Sequence, residues 1–163
     1  SVITREETVS TLENIETDVV SMVGVLEHLQ EPRRVLEALK RNKNVKYLFI
    51  SVPLFSPCVY FEMAFPQGFP RHLSGDHTHL YTESSLAWMA KEFGLTAVGE
   101  WWFGSDMVDL YRFMHILIDK NPDFKNMTSK WDSLMRPAID ALQLELDKKK
   151  MSSEVHMVYR FNR

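Results

Sequence analysis

A strand–helix–strand pattern occupies residues 18–53 and sets the fold class of this chain. Residues 18–24 form a short, nearly continuous apolar run rich in valine, which is typical of a parallel strand covered by helices on both faces. A helix follows from Pro32, because proline is tolerated in the first helical turn. A second apolar run covers residues 47–52. The segment therefore predicts a βαβ unit, whose crossover is nearly always right-handed.

The remainder of the chain alternates between irregular and regular patterns. Leu54 to Leu80 contains prolines, aromatic residues and glycines without a clean period, so we expect a long functional loop there. Thr82 as N-cap and Gly94 as C-terminal stop bound the clearest predicted helix. Residues 1–17 receive no assigned structure. The other predicted elements are a strand over Leu95–Phe103, a helix over Met107–Ile118, a helical region over Ser129–Lys150 and a strand over Val155–Phe161. Pro137 must start, kink or interrupt the helical region.

Length and composition favour one soluble α/β domain. The chain has 163 residues, of which 45% are hydrophobic, enough to bury a core. A net charge of −3 provides no electrostatic footprint for nucleic acid, and no apolar run is long enough to span a bilayer. The single cysteine, Cys58, excludes an intrachain disulfide and fits a reducing cytoplasm. We expect Cys58 to be a structural thiol, and His72, His115 and His156 to be structural as well.

Five short motifs occur in an order that resembles class I S-adenosylmethionine-dependent methyltransferases. They are Asp18-Val19-Val20, Val25-Leu26-Glu27-His28, Ser51-Val52-Pro53, His77-x-x-x-Tyr81-Thr82 and Phe93-Gly94. The resemblance covers residues 18–161. It implies a partial Rossmann-like sheet whose strands are equivalent to the family's fourth to seventh, with an antiparallel last strand and flanking helices. The 163 residues would then be the C-terminal part of a methyltransferase domain, with residues 54–81 as a substrate-side loop or lid.

The resemblance implies a cofactor wall at the carboxyl end of the first strand, where ligands collect in open α/β sheets. Val23, Gly24, Val25 and Leu26 would border the methionine part of S-adenosylmethionine. Gly24 would allow the backbone to approach the ligand closely. The alternative is that this glycine forms a tight turn with no ligand beside it.

The resemblance also implies an acceptor side. His28, His77 and His79 are candidate general bases, a role that suits the near-neutral pKa of histidine. The alternative is that they satisfy backbone groups in a polar loop. The residues expected to contact a small-molecule substrate are Glu27, Phe55, Arg71 and Tyr81.

A narrower resemblance concerns a divalent metal. Ubiquinone-pathway O-methyltransferases and small-RNA 2′-O-methyltransferases carry Glu-x-x-Glu-His at this turn and bind a metal with it. Glu27 and His28 match the end of that motif, and His77 resembles the distal histidine of the RNA enzymes. Gly24 stands in place of the first glutamate, so we expect no metal, although two imidazoles and one carboxylate could hold one with open positions.

The first half of the family's cofactor site has no counterpart in these residues. The six glycines lie at positions 24, 68, 75, 94, 99 and 104, so the chain contains no Gly-x-Gly. We therefore expect the 163 residues to be a C-terminal fragment that binds S-adenosylmethionine weakly or not at all. The alternative is a non-catalytic, degenerate methyltransferase-like module that forms a homodimer through the exposed edge of its first strand.

Overall fold

The structure, a computed structural model, describes residues 5–163 of the chain. Within them it contains helices and strands in the order α1 (Arg5–Asn14), β1 (Val19–Val23), α2 (Pro32–Arg41), β2 (Tyr47–Pro53), α3 (Pro57–Ala64), α4 (Glu83–Phe93), β3 (Leu95–Phe103), α5 (Asp106–Lys120), α6 (Thr128–Met135), α7 (Ile139–Lys148) and β4 (Glu154–Phe161). Two short 3₁₀ turns lie at Leu26–His28 and Lys125–Met127. Among the described residues, no helix is both long and apolar enough to cross a membrane.

The four strands form one sheet in the order β1-β2-β4-β3. β1 and β2 are parallel, as the βαβ prediction requires. The N–H of Leu54, after β2, donates to Ser153 O, before β4, at 2.7 Å, and the N–H of Phe161 donates to Lys46 O at 3.0 Å. The beginning of β4 therefore lies beside the end of β2, so these strands are antiparallel. The predicted α/β fold with an antiparallel last strand is confirmed.

The structure departs from the sequence predictions in two segments. The prediction of an irregular segment after β2 is wrong for Pro57–Ala64, which form α3. The Ser56 side chain caps this helix by accepting from the N–H of Cys58 at 3.2 Å, and Pro57 lies in its first turn. Residues 1–17 received no predicted structure, yet α1 occupies most of them. The predicted start and end of α4, at Thr82 and Gly94, are confirmed by a capping box and by a left-handed C-cap.

The chain divides into two compact units. Unit 1 contains Ser1–Val52, Tyr81–Trp101 and His156–Arg163, and unit 2 contains Pro53–Leu80 and Trp102–Val155. Unit 1 has an apolar interior supplied by α2, β2, α4 and β4. Its buried side chains include Val35, Leu36, Leu39, Leu48, Ile50, Leu86, Met89, Phe93 and Tyr159.

The interior of unit 2 is more polar. Apolar groups such as Leu54, Val59, Phe113 and Ile139 are buried there. Charged and polar side chains are buried beside them, and burial of such groups is costly unless they are hydrogen-bonded. These polar residues are Ser56, Glu62, His72, Asp106, Asp109, Gln143, Ser152 and Ser153.

Candidate functional site

The turn after β1 lies where the sequence placed a cofactor wall. Gly24 has φ +62°, and its N–H donates to Ser51 O at 3.1 Å. A Cβ at this position would meet the nearest atom, Oε1 of Glu27, at 3.7 Å, an ordinary contact. The backbone angle rather than lack of space therefore favours glycine. Val23 and Val25 on either side are 60% and 37% exposed, so this turn presents apolar surface to solvent.

Tyr81 fixes the same turn from the start of α4. Its ring is buried, and its hydroxyl donates to Leu26 O at 3.4 Å. Burial and, to a smaller extent, the negative charge of Glu27 together raise the pKa of Tyr81 to about 12. Tyr81 is therefore protonated at neutral pH, which suits a hydrogen-bond donor and not a base. The Leu26 side chain is fully buried, so only its backbone is available to a ligand.

His28 is exposed at the end of the 3₁₀ turn and borders a concave surface of unit 1. The cavity there has a volume of about 180 Å³. Arg34 Nη1 and Glu31 Oε2 form an ion pair at 3.2 Å on its rim. The residues that line the cavity are Val9, His28, Leu29, Gln30, Glu31, Arg34 and Val35.

The other two candidate bases belong to unit 2. His77 is half-buried, and its Nδ1 donates to the carbonyl oxygen of His72 at 3.1 Å. In the neutral ring this bond leaves the lone pair on Nε2, the atom that could accept a proton. His79 Nδ1 and Thr78 Oγ1 lie 2.8 Å apart. Each histidine thus has one ring nitrogen oriented by a neighbour in the chain.

Phe55 and Arg71, two predicted substrate residues, also lie in unit 2. Phe55 is half-exposed, and its ring packs edge-on against Tyr60 with centroids 5.5 Å apart. The Arg71 guanidinium binds Asp109 Oδ2 through Nε at 2.9 Å and Nη2 at 2.8 Å. Its Nη1 lies 3.8 Å from Glu154 Oε1. The positive charge of Arg71 is therefore balanced inside unit 2.

Sequence reasoning missed a buried cluster around Glu62. The N–H groups of Arg71, His72 and Leu73 donate to this carboxylate at 2.9–3.1 Å, and His72 Nδ1 lies 3.0 Å from Oε1. Cys58, one helical turn earlier in α3, directs its Sγ to Glu62 Oε1 at 3.6 Å. The available signal was the Ser-Pro start of α3, because a helix there puts Cys58 and Glu62 on one face.

Comparisons with known proteins point to one family. The family model described as a methyltransferase domain matches residues 4–100. No curated protein sequence matches the chain.

Solved structures resemble the chain at low identity. A small RNA methyltransferase is 12% identical with a TM-score of 0.50, over 93% of this chain and 15% of that chain. A SAM-dependent methyltransferase from Archaeoglobus fulgidus is 15% identical with a TM-score of 0.47, over 94% and 64%. Coclaurine N-methyltransferase bound to N-methylheliamine and SAH is 12% identical with a TM-score of 0.43, over 93% and 50%. The chain spans about half the length of five of the solved structures that it resembles.

Proposed function

The chain belongs to the methyltransferase-domain family, and we propose that it takes part in S-adenosylmethionine-dependent methyl transfer to a small-molecule acceptor. The observation that carries this proposal is the turn at the carboxyl end of β1. There a left-handed Gly24 is flanked by the exposed side chains of Val23 and Val25. Ligands of open α/β sheets collect at this end of the strands.

The turn fits one wall of a cofactor site. S-adenosylmethionine supplies a methyl group on a positively charged sulfur. Val23 and Val25 offer apolar contacts for a methionine chain, and the backbone of Gly24 and Leu26 offers polar ones. Because the 163 residues contain no Gly-x-Gly, these groups account for one side of the cofactor only.

Each unit contains residues that we propose for binding or activating the acceptor. In unit 2, His77 and His79 are the proposed bases, with Nε2 of His77 as the atom that takes a proton from the acceptor. In unit 1, His28 and Glu27 are the proposed acceptor-side groups. Catalysis would consist mainly of positioning the acceptor, assisted by a base.

The remaining three predicted substrate residues differ in whether their side chains already have partners within the chain. Phe55 is half-exposed and suits direct apolar contact with a substrate. Tyr81 and Arg71 already bind Leu26 O and Asp109. We therefore propose that Tyr81 positions the turn after β1, and that Arg71 positions the loop that carries His77 and His79.

S-adenosylhomocysteine titrated into the isotope-labelled chain tests the cofactor wall. We expect the amide NMR signals of residues 23–28 to shift, with a Kd of about 1 mM or weaker, because one wall supplies few contacts. Val23→Asp should abolish these shifts. Val98→Asp is the matched control, since Val98 is 50% exposed on β3. Shifts that avoid residues 23–28 would contradict the assigned wall, and micromolar binding by the monomer would contradict the expected weak affinity.

A second candidate function is a non-catalytic module that pairs with another copy of itself. It is favoured by the position of β1 at one end of the strand order, where Val19 and Val23 are 51% and 60% exposed. Edge strands readily pair with other chains, and an added lysine discourages such pairing.

Sedimentation of the chain separates the two functions. If the chain is a non-catalytic module that pairs through β1, the wild type should sediment as a dimer. Val19→Lys should then make it monomeric, and Val98→Lys on the other edge strand should leave it dimeric. A wild-type chain that sediments as a monomer at high concentration would exclude association through β1.

A further inference from the structure

A buried set of sulfur, nitrogen and oxygen donors lies in unit 2, on side chains that have no assigned part in methyl transfer. Cys58 Sγ lies 3.6 Å from Glu62 Oε1, and His72 Nδ1 lies 3.0 Å from the same oxygen. Cys58, Glu62 and His72 are 0%, 7% and 3% exposed. One ligand atom from each residue lies within 4.8 Å of the other two.

We propose that Cys58, Glu62 and His72 form a zinc site that stabilises unit 2. Zinc binds sulfur at about 2.3 Å and nitrogen or oxygen at about 2.0–2.2 Å, in a tetrahedral arrangement. Those bond lengths place neighbouring ligand atoms roughly 3–4 Å apart, close to the separations of Glu62 Oε1 from the other two donors. The three residues would supply three of the four ligands of a tetrahedral zinc ion.

Further hydrogen bonds hold the His72 and Glu62 side chains in orientations that suit metal ligands. His72 Nε2 lies 3.4 Å from Ser153 O, and in the tautomer that donates to this oxygen the Nδ1 lone pair faces the cluster. Glu62 Oε2 accepts from the N–H of Leu73 at 2.9 Å, which holds the carboxylate in place. Histidine ligands commonly donate their second ring nitrogen to a backbone carbonyl, and ligating carboxylates are in turn hydrogen-bonded.

The donor types of the cluster favour zinc. Cys58 Sγ also lies 3.2 Å from Asp109 Oδ2, a carboxylate oxygen that is already paired with the Arg71 guanidinium. Zinc binding would release the thiol proton to solvent as the sulfur–zinc bond forms. A thiolate, an imidazole and a carboxylate together suit zinc better than magnesium or calcium.

Cobalt(II) replacement of zinc in the full chain tests the site. We expect about one ion per chain, with a thiolate-to-cobalt absorption band and a higher Tm when zinc is added. Cys58→Ser and His72→Gln should each weaken binding roughly 10- to 100-fold or more. His115→Gln is the matched control, because His115 belongs to unit 2 and binds Asp132 at 3.0 Å instead.

The cobalt spectrum of the wild-type chain tests the proposed zinc site even if a variant fails to fold. A wild-type chain that is folded by circular dichroism and gives no thiolate-to-cobalt band overturns the proposal. Equal cobalt affinity of the wild type and of folded Cys58→Ser also overturns it. Neither result bears on methyl transfer, because none of the three residues belongs to the proposed cofactor wall or is a proposed base.

Discussion

Replacing Asp106 with alanine is expected to lower the free energy of unfolding by about 3–5 kcal/mol, the cost of breaking a buried charged network. Asp106 is 0% exposed at the start of α5. Its Oδ1 accepts from Ser56 Oγ at 2.6 Å and its Oδ2 accepts from the N–H of Ser153 at 2.9 Å. Cys58 N and Gln143 Nε2 donate to it as well, at 3.2 and 3.4 Å.

The size of the effect follows from the donors that would lose their acceptor. Each buried donor without an acceptor costs about 1–3 kcal/mol, and alanine removes the acceptor of Ser56 Oγ and of the Ser153 N–H. The N–H of Cys58 and Nε2 of Gln143 keep a second acceptor, Ser56 Oγ and Asp147 Oδ1. Asp106→Asn keeps the size of the side chain and one carbonyl oxygen, so its cost should be smaller.

Urea unfolding followed by circular dichroism measures both variants of Asp106. Asp119→Ala is the matched control, since Asp119 is an exposed carboxylate on the same helix, and changes at such sites usually stay within about 0.5 kcal/mol. A cost below about 1 kcal/mol for Asp106→Ala would show that the network contributes little.

Glu62 should make the stability of the metal-free chain fall steeply in acid. Burial pushes the pKa of Glu62 upward, but the N–H groups of His72, Leu73 and Arg71 and the His72 ring outweigh it and lower the pKa to about 2. A carboxylate with a lowered pKa in the folded state stabilises the protein above its unfolded pKa, 4.5. That contribution, about 3 kcal/mol, is lost as the pH falls from about 5 towards 2.

Unfolding measured from pH 7 to pH 2 with a chelator present tests this dependence. Glu62→Gln should lower stability at pH 7 by about 3 kcal/mol and flatten the acid slope, because an amide does not titrate. Glu145→Gln is the control, since the Glu145 carboxylate is exposed and pairs with Lys148 at the surface. An acid slope that Glu62→Gln leaves unchanged would contradict the assignment.

Much of the fold could be predicted because its signals are local. Pro32 and the capping residues Thr82 and Gly94 act within a turn of their own helices, so they mark α2 and α4 in the sequence. The apolar runs of β1 and β2 identify parallel strands in the same way. The expectation that β1 is covered on both faces is wrong, because Val19 and Val23 are 51% and 60% exposed. α3 was missed because its eight residues show no apolar period, and its capping pair, Ser56 and Pro57, is a weak signal amid other loop residues.

One part of the candidate site could likewise be predicted from local signals, and another part could not. The turn at Gly24 was predicted from its place after a strand and from resemblance, and the left-handed backbone agrees with a glycine there. The contact of the Tyr81 hydroxyl with Leu26 O joins residues 55 positions apart, and no sequence pattern indicated it.

The sequence by itself determined the βαβ unit, the two ends of α4 and the family, since each depends on neighbouring residues or on motifs in order. The tertiary structure alone decided the interior of unit 2. There, Asp106 accepts from Ser56 across 50 positions, and His72 reaches Ser153 across 81. Composition shows that acidic, histidine and cysteine side chains are present, but only the packing of α3, α5 and the start of β4 removes them from water. Burial without water is what makes their hydrogen bonds and charges matter to stability.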